Sequence, residues 1–358
     1  MDETPPAPPG RALPPAWPAG RITLQALAQR AGVAVSTVSR ALKDDPRISP
    51  EMRARIAALA AEAGYTPNIL ARTLVLGRSG LIGLVLGPVE NPFYAELMQQ
   101  AVAQAAARGH RLLLLHAGPG PIEDATAEAL LQYRVDGCLI TSAELSSRAA
   151  AICAANGVPL VMVNRVAREH GSAVSCDNRA TGEALAGFLL RTGHRRPAII
   201  LGNPGSSTSA ERADSFAAAF QQAGLPAPRR FAGGASHAAG YAAGQAIAGL
   251  PAAERPDAVF GVGDILAMGA MDALREAGVA VPGDISVVGA DGIGPALRPP
   301  YRLTTVVQPL EAMVARGLDL LLARIGGAEL PQERILLRGR LVEGGSARRG
   351  LPGLLQAV

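Results

Sequence analysis

The chain has 358 residues, too many for one ordinary domain, and with 49% hydrophobic and 18% charged residues it can bury more than one core. No apolar run reaches membrane-span length, and the N-terminal MDETPPAPPGRALPPAWPAG has neither a basic start nor a continuous apolar stretch. These features argue against a membrane helix and a secretory signal. The net charge of +4 is unevenly spread: residues 21–79 hold nine Lys and Arg against four Asp and Glu, whereas residues 80–358 hold 24 of each. A basic head on a neutral body points to a polyanion partner for the head, with a solvated basic face as the plainer alternative.

Residues 1–20 are proline-rich and poor in core-forming side chains, and read as a flexible, extended tail. From Arg21 the pattern turns helical. Leu24, Leu27, Ala28 and Ala31 recur at helical spacing, with Thr23 placed to cap the start and Gly32 to stop the helix. VSTVSRAL supplies a second short helix with Val38, Ala41 and Leu42 inward. Ser49 and Pro50 open a third, with Met52, Ile56, Leu59 and Ala63 on one stripe before Gly64. The tight turn Gly32-Val33-Ala34 between the first two helices fits a helix-turn-helix. Its second helix turns Val35, Ser36, Ser39 and Arg40 outward, where small hydroxyls can approach phosphates or base edges and Arg40 can donate twice to a guanine.

From Leu81 onward, short apolar runs (81–86, 111–116, 136–141, 158–163, 197–202, 257–262 and 284–291) alternate with helical stretches near 93–108, 123–133, 146–156, 179–193, 209–223, 238–249, 264–277 and 309–326. The alternation predicts parallel sheets covered by helices, and its length predicts two doubly wound lobes with a cleft at the strands' carboxyl ends. The cysteines Cys138, Cys153 and Cys176 form no CxxC pair and read as buried thiols in a reducing cytoplasm. The five histidines show no metal-ligand spacing, and there is no GxSxG elbow, P-loop or GxGxxG after a strand. Ser206, Ser207 and Ser209 sit in a Gly/Ser-rich loop before a helix, where capping or ligand binding is the expectation rather than nucleophilic attack. The chain therefore reads as a binder without catalysis, cofactor or metal.

The run from Ile22 to Val85, with AGVAVSTVSRAL, RISPEMRARI and GYTPNILARTL in order, resembles the DNA-binding head and hinge of the lactose/galactose-repressor (LacI/GalR) family of bacterial transcription regulators. The resemblance implies an all-α helix-turn-helix head over 21–66 and a hinge over 67–79. It also implies a body over 80–346 of periplasmic-binding-protein type, with a flexible tail over 347–358. Within the body, lobe 1 would take about 80–178 and 307–337, and lobe 2 about 179–306 and 338–346. It makes Val35, Ser36 and Arg40 readers of base edges and Thr23, Thr37 and Ser39 phosphate anchors. Arg72 and Arg78 would meet phosphates near the hinge, and Leu74 would be wedged into the central base step of a deformable operator. Ala34 stands where the family usually has a capping Ser, and apolar Val35 could recognise only a thymine methyl or a shape.

In the cleft, the resemblance places an effector against Phe93, Tyr94, Asn164, Ser206, Thr208, Arg212 and Asp291, residue types suited to a sugar. Two departures, Ala235 for an aromatic and Gly263 for the Asn before Asp264, predict a larger, less polar pocket, with His237 or Arg165 compensating, and favour a sugar acid or bulkier glycoside over a neutral monosaccharide. The implied protein is a homodimeric repressor on a pseudo-palindromic operator, controlled by a small carbohydrate effector and without a terminal coiled coil. The alternative is a sugar-binding protein or carbohydrate-processing enzyme carrying a helical extension that does not bind DNA.

Overall fold

The computed structural model describes residues 22–65, 78–87, 90–116, 124–141, 147–164 and 172–349. The proline-rich tail, the hinge with Arg72 and Leu74, Arg165, and the last nine residues lie outside the described residues. The chain divides into two compact units, Met1–Gly77 and Arg78–Val358.

The first unit holds α1 (Leu24–Ala31), α2 (Val35–Ala41) and α3 (Pro50–Glu62). Each boundary has a local cause. The Thr23 hydroxyl accepts from the Ala26 amide at the start of α1, and Gly32 ends it in the left-handed region at φ 65°. Ser49 caps α3 by accepting from the Met52 amide, with Pro50 in the first turn. Leu27, Ala28, Ala31, Val38, Ala41, Ile56 and Ala60 form the shared core. The expected stripe on α3 is displaced: Ile56 and Ala60 are buried, while Met52, Leu59 and Ala63 pack at the edge.

The second unit contains two six-stranded sheets. Its strands are β1 (Leu81–Leu86), β2 (Arg111–His116), β3 (Gly137–Ile140), β4 (Leu160–Val163), β5 (Ser172–Cys176), β6 (Pro197–Ile200), β7 (Arg229–Phe231), β8 (Ala258–Gly261), β9 (Ser286–Asp291), β10 (Thr304–Val307), β11 (Arg334–Leu337) and β12 (Arg340–Val342). The sheet orders are β2-β1-β3-β4-β5-β11 and β7-β6-β8-β9-β10-β12. All pairings are parallel except that of β10 with β12. The covering helices are α4 (Pro92–Ala107), α5 (Asp124–Gln132), α6 (Ser147–Ala155), α7 (Asn178–Arg191), α8 (Ser207–Gln222), α9 (His237–Ala248), α10 (Asp264–Glu276), α11 (Gly294–Leu297) and α12 (Leu310–Ile325). The central strands are buried apolar runs, as strands covered on both faces must be.

The two sheets repeat one strand order, and in each the order reverses beside the first strand, between β1 and β3 and between β6 and β8. Open parallel sheets bind ligands beyond the carboxyl ends of the strands at such switch points. The chain passes between the sheets after β5, after β10 and after β11, which makes three connections between the lobes. The ordered chain runs past the expected start of the tail at 347. Ala347 is buried, the Ser346 hydroxyl donates to the Val287 carbonyl, and the Arg348 amide donates to Ser286 Oγ, so this segment is pinned against β9.

Candidate functional site

The exposed face of α2 belongs to residues that the core does not need. Val38 and Ala41 point inward, leaving Val35 (44% exposed), Ser36 and Arg40 open to solvent and Thr37 and Ser39 half-buried. No side chain caps α2, because Ala34 stands at the N-cap. Thr23 is exposed; its oxygen is occupied as the α1 cap, and its hydroxyl proton remains available for an anion. Arg78 does not behave as expected: Nη2 donates to the Ile325 carbonyl at 2.8 Å, which ties it to the body.

In the body, the loops after the carboxyl ends of β1, β4, β6, β8 and β9 converge on one pocket. Phe93, Tyr94, Asn164, Ser206, Thr208, Arg212 and Asp291 all line it, joined by Asn91, Asn203, Ser209, Val262, Ile265 and Leu266 among others. Phe93 and Tyr94 follow the Asn91 cap of α4 and meet edge to face, with centroids 5.5 Å apart. Ser206 caps α8 and lies 3.1 Å from the Thr208 hydroxyl, while Ser209 Oγ accepts from the Gly202 amide. Asn164 takes φ 68° at the end of β4, and its Oδ1 is buried without a hydrogen-bond partner.

Arg212 and Asp291 are the charged centre. Their side chains are 6% and 8% exposed, and Nη1 lies 2.9 Å from Oδ1. Nη1 also donates to the Val262 carbonyl at 2.8 Å, and Nε donates to Asn178 Oδ1 at 2.9 Å, so the guanidinium plane is fixed from three sides. Burial pulls the Arg212 pKa down, but Asp291, Cys176 and Asp264 more than offset it, and the group stays charged. Asp291 Oδ1 accepts in addition from Gln308 Nε2 at 2.7 Å.

Asp264, next to the small Gly263, is fully buried and lies outside the pocket lining. Oδ2 accepts from the Gly292 and Ile293 amides and Oδ1 from the Thr305 hydroxyl, so Asp264 anchors the loop that follows Asp291. Burial, and then the charge of Asp291, push its pKa up to about 7.

One expectation changes. His237 does not line the pocket; its Nε2 lies 2.8 Å from Asp272 Oδ2 on the neighbouring helix. At Gly263, a residue of the pocket lining, Asp291 Oδ2 lies 3.2 Å from where a Cβ would sit, so the carboxylate borders the space left by the missing side chain. The cavity measures about 80 Å³. Asn178 and Gln308, which hold the ion pair, were not singled out from the sequence; Asn178 follows the Asp177 cap of α7 and is indistinguishable from an ordinary first-turn residue.

The three cysteines are free and buried, and burial raises the pKa of each, so none is a ready nucleophile. Among the described residues no cluster of His, Cys, Asp and Glu could hold a metal ion, and no helix is long and apolar enough to cross a membrane.

Known proteins share both parts of this arrangement. Residues 23–68 match the bacterial regulatory proteins of the lacI family, and residues 186–347 match the periplasmic binding protein-like domain. The chain is 34% identical over 332 residues to the ribose operon repressor of Escherichia coli (strain K12), covering 91% of this chain and 99% of that one. In fold it resembles the lac repressor dimer bound to operator and the anti-inducer ONPF, with a TM-score of 0.82 at 24% identity, covering 91% of this chain and 99% of that one. A LacI family transcriptional regulator from Enterococcus faecium, solved with bound ribose, superposes with a TM-score of 0.68 at 25% identity, covering 76% of this chain and 99% of that one. With a relative of this identity aligned along nearly the whole of both proteins, the chain belongs to the lacI family of bacterial regulatory proteins and is a DNA-binding transcriptional regulator.

Proposed function

We propose that the protein is a homodimeric cytoplasmic repressor that reads a pseudo-palindromic operator and whose operator affinity is set by a small carbohydrate held, without turnover, between the two lobes. The observation that carries the effector half of this reading is the convergence of Phe93, Tyr94, Asn164, Ser206, Thr208, Arg212 and Asp291 on one pocket beyond the strand ends. Two similar proteins point the same way, one named for a ribose operon and one solved with ribose. In the head, Val35, Ser36 and Arg40 read base edges while Thr23, Thr37 and Ser39 anchor phosphates, a division supported by the exposure of α2 and the cap at Thr23. The segment 67–79 acts as the hinge, with Arg72 on phosphate and Leu74 at the central base step, on the strength of its sequence. Residues 21–66 then form the DNA-binding domain, and 80–346 the body for effector binding and dimerisation.

The test is selection of the purified chain against random duplex DNA at near-physiological salt. A two-fold-symmetric enriched site is expected, bound with an affinity that falls steeply with salt as counterions are released. Arg40→Ala should weaken that site by about tenfold or more and relax one base preference, while Leu74→Ala should weaken binding at the centre. No enrichment, with or without carbohydrate pools, would leave the body as a sugar binder whose head does not read DNA.

A further inference from the structure

In the head, the turn from α2 to α3 is built around Asp45, whose side chain is 14% exposed. Its amide donates to the Arg40 carbonyl at 3.1 Å, at the C-terminal end of α2. Asp45 Oδ1 accepts from the Arg47 amide at 3.0 Å, and the carboxylate grips the Arg47 guanidinium from one side, with Nε 3.0 Å from Oδ1 and Nη2 2.7 Å from Oδ2. The hydrogen bonds from Arg47, then its charge and that of Arg40, hold the Asp45 carboxyl well below the usual carboxylate range. The preceding acid is used differently. Asp44 pairs with the half-buried Arg53 of α3, so that Arg53 is spent inside the head, whereas the Arg47 side chain is 71% exposed.

The side of the guanidinium that Asp45 leaves open decides what Arg47 can do. A guanidinium offers one fork along Nε and Nη2 and another across Nη1 and Nη2. Asp45 fills the first, and Nη1 has no partner among the described residues. The second, end-on fork is the one that matches O6 and N7 of guanine in the major groove. An unpaired arginine would suit a phosphate equally well. Asp45 separates the two cases, because its negative charge repels a phosphate oxygen drawn to Arg47, whereas guanine presents uncharged acceptors. The position agrees with this chemistry. Through its amide Asp45 is tied to the end of α2 that carries the exposed Arg40, and through its carboxylate it holds Arg47. Holding the side chain in advance also lowers the entropy lost when it binds.

We infer that Arg47, held side-on by Asp45, is a base reader outside the recognition helix and selects a guanine beyond the bases that α2 contacts. The assignment rests on the reading that α2 enters the major groove of the operator. Asp45 is a positioning residue, acting on DNA through Arg47. The pair is neutral as a whole, so it supplies sequence preference and little of the salt-dependent attraction to the phosphate backbone.

The experiment is selection of the full chain and its variants against random duplex DNA, followed by affinity for the selected site as a function of salt, with folding checked by circular dichroism. Wild type should show a G·C preference in each half-site that Arg40→Ala keeps and that Arg47→Ala and Arg47→Lys both lose, each weakening the wild-type site by about tenfold. Lysine fails because it carries the charge without the fork. Asp45→Asn keeps an acceptor for the Arg47 amide but frees the guanidinium. It should relax the same preference, tighten binding to unrelated duplex and steepen the salt dependence. The double variant Asp45→Asn, Arg47→Gln leaves the net charge unchanged and should lose the preference with the salt slope of wild type. If instead Arg47→Lys binds like wild type, and Arg47→Ala weakens all sequences alike and lowers the salt slope by about one, Arg47 is a phosphate anchor. The inference then fails while the reading of α2 stands. An enriched site that no Arg47 variant alters overturns it in the same way. Wild type that enriches no sequence overturns both the inference and the reading on which it rests.

Discussion

Asp264 shows how a residue beside the pocket serves it without touching the ligand. Its carboxyl takes the amides of Gly292 and Ile293 and the Thr305 hydroxyl, and so fixes the backbone just after Asp291, which itself sits at φ 138°. Burial, then the charge of Asp291, raise its pKa from 3.8 to about 7, so between these values the folded protein holds a proton that the unfolded chain releases. Its contribution is fully present below the unfolded value and is lost as pH rises through the folded one, with a slope of at most about 1.4 kcal/mol per unit. His194 works in the opposite direction. Burial against Leu189, Thr192 and Ser286 lowers its pKa, so stability falls as pH drops below 6.5. Asp264→Asn can keep the same three hydrogen bonds, with the Thr305 hydroxyl now accepting, and leaves His194 intact. The difference in melting temperature between variant and wild type should therefore move in the variant's favour from pH 4 to pH 7. A difference independent of pH across that range would refute the protonation account.

At the scale of elements, α9 and α10 meet backbone to backbone. A Cβ on Gly240 would lie 2.2 Å from the Leu266 carbonyl oxygen, and one on Gly269 would lie 2.1 Å from that of His237. Gly187 on α7 differs, since its Cβ would meet only the tip of the flexible Arg191 side chain at 3.2 Å. The same substitution should thus have opposite signs. Gly240→Ala and Gly269→Ala should each destabilise by about 1–3 kcal/mol through forced separation of the helices. Gly187→Ala should stabilise by up to about 1 kcal/mol through helix propensity. Denaturant midpoints compared with wild type would decide, and stabilisation in all three would show that the helices separate at little cost.

The sequence reveals these helices and the central strands clearly, because long amphipathic stretches and continuous apolar runs carry their own period. It does not reveal β5, β7, β11 and β12. SAVSC is small and polar, and the others are three- or four-residue edge or crossing strands whose pairing comes from the sheet beside them. The site divides in the same way. Arg212 and Asp291 are legible from residue type and family spacing, whereas Asn178 and Gln308 become functional only through contacts with residues 34 and 17 positions away.

Across the whole body, the two lobes are tied by more than the three chain connections. Glu96 on α4 accepts from the Gly294 amide at 2.8 Å, three residues beyond Asp291. On another face, Arg334 of β11 pairs with Glu211 of α8 at 2.7 Å. Glu211 accepts from Asn178 Nδ2 with its other oxygen, and Asn178 in turn holds Arg212. A ligand that draws on Arg212 therefore acts on a group two hydrogen bonds from an ion pair between the lobes. An effector changes operator affinity only by binding two arrangements of the lobes unequally, and couplings of this kind amount to about 1–3 kcal/mol. Arg334→Met removes the bridge at a partly exposed position, where the ion pair itself contributes under about 1 kcal/mol to stability. The variant should melt within a few degrees of wild type and still bind the effector, while the ratio of operator affinities with and without effector falls severalfold towards one. Fluorescence anisotropy on the selected operator, with and without saturating sugar, measures that ratio directly. An unchanged ratio in a folded, sugar-binding variant would mean that the lobes communicate through the connecting strands and the Glu96 contact alone.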